Sequence, residues 1–404
     1  MAKVQGGHQD QANPAGEISL RALALFFLRL GTTAFGGPAA HIAMMEDEVV
    51  RRRQWVPREK FLDLLGAANL IPGPSSTEMA IFIGYRCQGW AGLLLGGVCF
   101  IVPAMVLVLG FAWAYVHFGN LPQITWLLYG VKPVVIAIIL QALGQLGRTA
   151  VKNKFLGALT LIAVILNFWG VNVLILLFGT GVITGFWQGF IQERARNWKP
   201  LLIMLLLAGS LLGAAYFATG LYSTGRVEFG LLPLFLFFLK VGSIVFGSGY
   251  VLLAFLQADL VAHWHWLTTT QLLDAVAVGQ VTPGPVFTTA TFIGYLLAGW
   301  PGALVATAGI FLPSFIFAAL SSLLIPRLRQ SVVAGAFLDG VIVASLALMA
   351  VVTWHLGRDA VIDLPTALLV LASAVLLLRF RLNSLWLVLG GALTGLLVHV
   401  INII

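Results

Sequence analysis

One passage of this chain is written twice. Residues 27 to 85 read FLRLGTTAFGG, then Trp55, then FLDLLGAANLIPGPSS, then FIGYRCQGW; residues 238 to 295 read FLKVGSIVFGS, then Trp266, then LLDAVAVGQVTPGPVF, then FIGYLLAGW. Phe35 answers Phe246, Trp55 answers Trp266, Asp63 answers Asp274 and Pro72-Gly73-Pro74 answers Pro283-Gly284-Pro285, each 211 positions apart. After one lost residue, Gly84 answers Gly294 and Pro103 answers Pro313 at an offset of 210. A fused duplication of this kind, in an apolar chain, marks a two-fold membrane protein with its site between the repeats.

Composition fixes the solvent. Of 404 residues, 60% are hydrophobic and 9% charged, and the mean hydropathy is +0.98, which calls for a lipid bilayer. The formal charge of +8 does not imply nucleic acid, because the basic residues lie scattered between apolar runs, as loops near anionic lipid do. Residues 1–17 read as a polar, disordered tail rather than a secretory leader. Cys87 and Cys99 read as inert thiols, and no cofactor or metal is implied.

Apolar segments fall into two sets of six about a single segment at 201 to 221. With an odd segment between them, the sets start from opposite faces of the membrane, so the repeats are inverted. The expected domains are repeats at 18–195 and 227–404 and a linking helix at 196–226. Two topologies fit: about thirteen full spans, or about nine spans with the first two segments of each repeat folded as re-entrant hairpins. The charges favour the second. With hairpins folded at Gly36-Gly37-Pro38 and Pro72-Gly73-Pro74, the cluster Arg51, Arg52, Arg53, Arg58 and Lys60 falls on the same side as Arg148, Lys152 and Lys154. The fold class expected is thus all-α and polytopic, with the N-terminus cytoplasmic and the C-terminus periplasmic.

A helix cannot run through Pro-Gly-Pro, because proline lacks a donor and clashes with the preceding turn. In hydrocarbon such breaks survive only against a cavity or packed protein. Each restarted helix presents free N–H groups and a positive dipole end, which suits an anion. The first opens with Ser75, Ser76 and Thr77 and the second with Val286, Phe287, Thr288 and Thr289. Their hydroxyls can cap the helix or donate to an oxyanion, and a purely structural kink is the alternative. Arg29 and Lys240, equivalent cations inside apolar segments, are read as converging on an anion; snorkelling or pairing with a carboxylate is the bland reading. Thr32, Ser243, Gly36, Gly37, Gly247 and Ser248 are placed beside them.

Glu78 has no acidic counterpart and is a candidate coupling group, an ion-pair partner or a first-turn charge. Asp63 and Asp274 are expected to cap helices, and Asn69 and Gln280 to hold the hairpins or touch substrate. His41 reads as hydrogen-bonded scaffold. His263 and His265 read as interfacial.

FGGPAAHIAMME with FLDLLGAANLIPGPSSTEMAIFIGY, and FGSGYVLLAFLQADLV with LLDAVAVGQVTPGPVFTTATFIGY, resemble the chromate ion transporter family in its long, two-domain form. The resemblance runs from about residue 20 to the C-terminus. It implies secondary active export of chromate across a bacterial inner membrane, giving chromate resistance, with sulfate as competitor or counter-ion. The alternatives are an oxyanion channel or a sulfate transporter. No nucleotide-binding motif or enzyme-like cluster of nucleophile and base is present. Two copies of the chain are a possible assembly.

Overall fold

The computed structural model describes residues 18–119, 121–187, 228–246, 249–328, 332–380 and 382–403. The tail 1–17 and the whole of the expected linking helix 196–226 lie outside them. All regular structure among the described residues is helical.

In the first repeat, α1 (Leu20–Thr33) is followed by α2 (Gly37–Met45), which runs on as a π-helical stretch, Glu46–Arg52. Then come α3 (Arg58–Ala68), α4 (Ser75–Phe118), α5 (Pro122–Ala150), α6 (Lys154–Phe168) and α7 (Val173–Phe186). The second repeat answers with α8 (Leu231–Ile244), a 3-10 turn leading into α9 (Leu252–Phe255) and a π-helical stretch Leu256–His263, and α10 (Thr269–Val281). It continues with α11 (Thr289–Leu328), α12 (Val332–Ala360), α13 (Leu364–Phe380) and α14 (Ser384–Ile403).

α4 is two helices rather than one. Its backbone leaves helical geometry at Gln88 and Gly89, where Gly89 takes φ 56°, and the chain folds back on itself. The arms pack so closely that a Cβ on Gly84 would lie 2.1 Å from the Gly92 carbonyl oxygen, and one on Gly96 would lie 2.4 Å from that of Ala80. Ala298 and Gly299 make the same fold in α11, with Gly294 against Gly302. Only glycine tolerates both the positive φ at the turn and the backbone contact between the arms.

The first arm of α4 therefore returns to the side on which α1 began, where the Gln88 side-chain amide donates to the Ile18 carbonyl. The α1–α2 segment returns there too, since Trp55 meets Phe26 edge-on at 5.9 Å. Both opening segments of each repeat are re-entrant hairpins, the topology favoured by the charges. Following the helices outward, Arg51, Arg52, Arg53, Arg58, Lys60, Arg86, Arg148, Lys152, Lys154, Arg327 and Arg379 gather at one end of the bundle and Arg358 at the other.

Four helices among the described residues are long and apolar enough to cross a bilayer: 75–118, 122–150, 286–320 and 333–360. The sequence counts α6, α7 and α13 as full spans; α6 and α13 hold 15 and 17 residues, short of the roughly 20 a span needs, and α7 runs to the edge of the described residues. Asparagine caps at Asn153 and Asn172 start α6 and α7, and Gly170, at φ 82°, ends the turn between them.

The repeats interlock. α5 packs against α13 and α14 of the second repeat, and α12 packs against α6 and α7 of the first. At these crossings Gly130 sits against Gly391 and Gly395, and Gly340 against Thr180 and Gly181. Along both, one helix number rises as the other falls, so the partners run antiparallel, as inverted repeats require. The second arms of α4 and α11 also pack on one another at the pseudo-two-fold axis. A groove between them is lined by apolar equivalents such as Ile101 with Phe311 and Met105 with Phe315, unsuited to an anion.

Candidate functional site

Each Pro-Gly-Pro break is bonded to the opposite repeat. The Gly73 N–H donates to the Val245 carbonyl at 2.8 Å, and the Gly284 N–H donates to the Ala34 carbonyl at 2.9 Å. Ala34 and Val245 are themselves equivalent, each ending the first helix of its repeat. Each break is thus satisfied by the other repeat, which explains how interrupted backbone is tolerated at this depth.

Glycine is required at both contacts. Gly73 has φ 139° and Gly284 φ 89°; a Cβ on Gly284 would lie 2.7 Å from the Ala104 methyl. Gly36 and Gly37, at φ 103° and 77°, turn the chain out of α1 and start α2. Gly247 and Ser248, expected at the matching turn, lie outside the described residues.

The restarted helices keep free donors. With Pro74 as N-cap, the backbone N–H groups of Ser75 and Ser76 make no hydrogen bond among the described residues, whereas those of Thr77 and Glu78 bond to the Pro74 carbonyl. Val286 and Phe287 stand in the same position after Pro285. These pairs of N–H groups and two aligned dipoles are the elements suited to an anion. Pro72 is partly exposed, while Pro74, Ser75 and Ser76 are buried, as are Pro283 and Pro285.

Several hydroxyls expected to face substrate are spent on the backbone instead. Thr32 donates to the Arg29 carbonyl at 2.8 Å and Ser243 to that of Leu239 at 2.7 Å. Thr288 donates to the Pro285 carbonyl and Thr289 to that of Val286, each at 2.8 Å. A hydroxyl three or four residues into a helix finds a carbonyl within reach without leaving its rotamer.

Arg29 and Lys240 are not alike. The Lys240 ammonium pairs with the Asp259 carboxylate at 2.6 Å and lies 5.3 Å from the centroid of the Phe237 ring, so the carboxylate pairing left open by the sequence holds here. In the first repeat Glu48, the counterpart of Asp259, is taken by Arg53 at 2.6 Å, and Arg53 stacks over Trp55 at 4.8 Å and Phe26 at 5.9 Å. The same cation, carboxylate and aromatic node is built in both repeats, but its cation comes from a helix in one and from the basic loop in the other. Arg29 is left exposed and without an ion-pair partner among the described residues.

The carboxylates predicted to cap do not. Pro57 occupies the N-cap of α3, and Thr268 caps α10 through a reciprocal pair of bonds with Gln271. Asp274, with 2% side-chain exposure, instead bridges the repeats, 3.1 Å from Lys132 of α5 and accepting from the Tyr115 hydroxyl at 2.9 Å. Asp63 stays 53% exposed beside Lys60. The amides also differ: Gln280 accepts from Tyr250 at 2.9 Å, tying the two breaks of its repeat together, while Asn69 is exposed at the end of α3. His41 is buried scaffold, bonded at 3.1 Å to the Ala34 carbonyl and packed on Phe100.

Lys132, Tyr115 and Ser314 were missed. Lys132 carried a readable signal, a lone cation within an apolar span beside Pro133. The other two became meaningful only through their neighbours.

The hairpins of the two repeats are held differently. Those of the second pack against α5, α12 and α14, and among the described residues their counterparts have no comparable packing on α5, α7 or α12. Leu273 is 1% exposed and its equivalent Leu62 is 50% exposed.

Inverted repeats, re-entrant hairpins and breaks that meet across a pseudo-two-fold axis define a polytopic membrane transporter. The chain belongs to the chromate transporter family, whose model matches residues 21–186 and again 232–396. It is 37% identical over 389 residues to the chromate transport protein of Cupriavidus metallidurans, covering 95% of this chain and 94% of the relative. A probable chromate transport protein of Synechococcus elongatus is 32% identical, covering 88% and 89%. An uncharacterized transporter of Bacillus subtilis, 30% identical, matches 33% of this chain and 75% of its own length. No solved structure matches significantly. The members of the family are transport proteins, not enzymes.

Proposed function

We propose that the protein exports chromate from the cytoplasm by alternating access, with each repeat spanning 18–195 or 227–404 and the linking helix 196–226 inverting the second. The observation that carries this reading is the reciprocal pair of bonds from Gly73 to Val245 and from Gly284 to Ala34. They tie the start of each restarted helix to the opposite repeat, and a tetrahedral dianion bound between the repeats would be held by the N–H groups of Ser75, Ser76, Val286 and Phe287. Arg29 supplies the unspent cation. The transport relatives, named for chromate, support the choice of anion, and sulfate, of like shape and charge, would compete.

The unequal packing of the hairpins supports one-sided access. The second pair is closed on the scaffold, while Leu62, Asp63 and Asn69 of the first remain exposed. The basic residues at the open end support a cytoplasmic orientation of that end in the inner membrane, so this conformation would take anion from inside. Export of a dianion from a negative interior is downhill by about 4.6 kcal/mol per 100 mV, at roughly 2.3 kcal/mol per charge.

Everted membrane vesicles given an imposed potential should accumulate chromate saturably, with sulfate inhibiting. Uptake no greater than in vesicles lacking the protein would overturn the reading; uptake without saturation would make it a channel.

A further inference from the structure

Four buried oxygens beside the first Pro-Gly-Pro break have no hydrogen-bond partner among the described residues: both carboxyl oxygens of Glu78 and the hydroxyls of Thr77 and Ser314. All three side chains are 0% exposed. A Cβ on Gly73 would lie 2.4 Å from Glu78 Oε1 and 2.6 Å from Ser314 Oγ, so these two oxygens are within about 5 Å of each other. Ser314 comes from the second arm of α11, so the cluster joins the two repeats next to the bond from Gly73 to Val245.

The equivalent place in the second repeat is built differently. Thr289 stands where Glu78 does and spends its hydroxyl on Val286, and Ala104 stands where Ser314 does, its methyl against Gly284. Packing of the break therefore needs no polar cluster, and the first repeat has one all the same. The charged or titratable groups on elements packed against the first arm of α4 are Arg21 and Arg29 on α1, His41 on α2, and Arg58, Glu59, Lys60 and Asp63 on α3; residues 289–320 of α11 add Tyr295 and no charged side chain. None bonds to Glu78. An ionised carboxylate without donor or cation is strongly disfavoured in such a place, whereas a neutral carboxyl could donate its O–H to the Ser314 or Thr77 hydroxyl.

Building on the transport reading above, we propose that Glu78, with Ser314 and Thr77, is the protein's proton-carrying site. The proton stays on the Glu78 carboxyl while the break is closed. When rocking of the repeats parts Gly73 from Val245 and admits water, the O–H bond breaks, the electron pair stays on the carboxylate and the proton passes to water.

Infrared difference spectra after a pH jump, recorded on the full chain in lipid vesicles, would show a carboxylic C=O band that is lost in Glu78→Gln and shifted in Ser314→Ala. A pH gradient imposed at zero potential should accumulate chromate in wild-type vesicles and not in Glu78→Gln vesicles, where any remaining exchange should be independent of pH. A band that survives Glu78→Gln, or a gradient response in that variant equal to wild type, overturns the proposal. A Glu78-dependent band in wild-type vesicles that take up no chromate would overturn the transport reading and leave the proton site standing.

Discussion

Removing the Asp274 carboxylate should open the closed side of the protein. Asp274, at 2% exposure, has Lys132 at 3.1 Å and the Tyr115 hydroxyl at 2.9 Å. In Asp274→Ala the lysine is left uncompensated in the interface between the second hairpin and α5. Breaking one side of a buried pair costs about 3–5 kcal/mol; with Lys132 still 18% exposed, the low end, about 3 kcal/mol, applies. The positions equivalent to Lys132 and Tyr115, which would face the first hairpin, are Ile342 and Ile325 of the second repeat, so the first hairpin has no comparable ion pair to lose. The cost falls on one conformation, and at about 1.4 kcal/mol per tenfold change the balance shifts by about 100-fold toward the state in which the second hairpin is released. A cysteine at position 273 reports this, because Leu273 is 1% exposed when the hairpin is closed. Its labelling by an impermeant thiol reagent, in a background without Cys87 and Cys99, should rise in Asp274→Ala and fall back toward wild type when Lys132→Ala is added. Equal labelling in all three would refute the idea that this ion pair holds the hairpin shut.

Arg29→Ala should raise the chromate KM at least tenfold in vesicle uptake, whereas Lys240→Ala should act mainly on stability, with Asp259→Ala restoring part of the loss. Gly73→Ala forces a side chain into positive φ and within 2.4 Å of Glu78; strain and overpacking together should cost about 2–5 kcal/mol, read by chemical unfolding in detergent. A cysteine at position 52 should be labelled only from the cytoplasmic side, and labelling from the periplasm alone would restore full spans for the hairpins. In the loop before α13, Asp363 has its carboxyl held below the usual value of 3.8: burial would raise it, but bonds from Tyr129 and Thr366 outweigh that. Its contribution is therefore present above about pH 4 and lost as pH falls further, and Asp363→Asn should flatten the acid limb of the stability profile.

The duplication was legible because equivalent residues keep a constant offset, and the bilayer because composition leaves no other solvent. Inversion followed from an odd number of apolar segments, and the hairpins from Pro-Gly-Pro and from the placement of Arg51 to Lys60. Each of these rests on a local or additive property: a missing backbone donor, a hydropathy sum, a charge count. The partners of individual side chains do not. Arg29 and Lys240 are matched in sequence, yet Asp259 neutralises one while Arg53 has displaced the other from Glu48. Asp63 and Asp274 are matched as well, and only the second finds Lys132 and Tyr115. The bonds from Gly73 to Val245 and from Gly284 to Ala34 join residues more than 170 positions apart, and the isolation of Glu78 beside Ser314 exists only where two repeats meet. Sequence symmetry fixed which positions are equivalent; the packing of long-range neighbours decided which member of each pair is paired, buried or free, since an ion pair or an orphaned oxygen is a property of the contact and not of either residue.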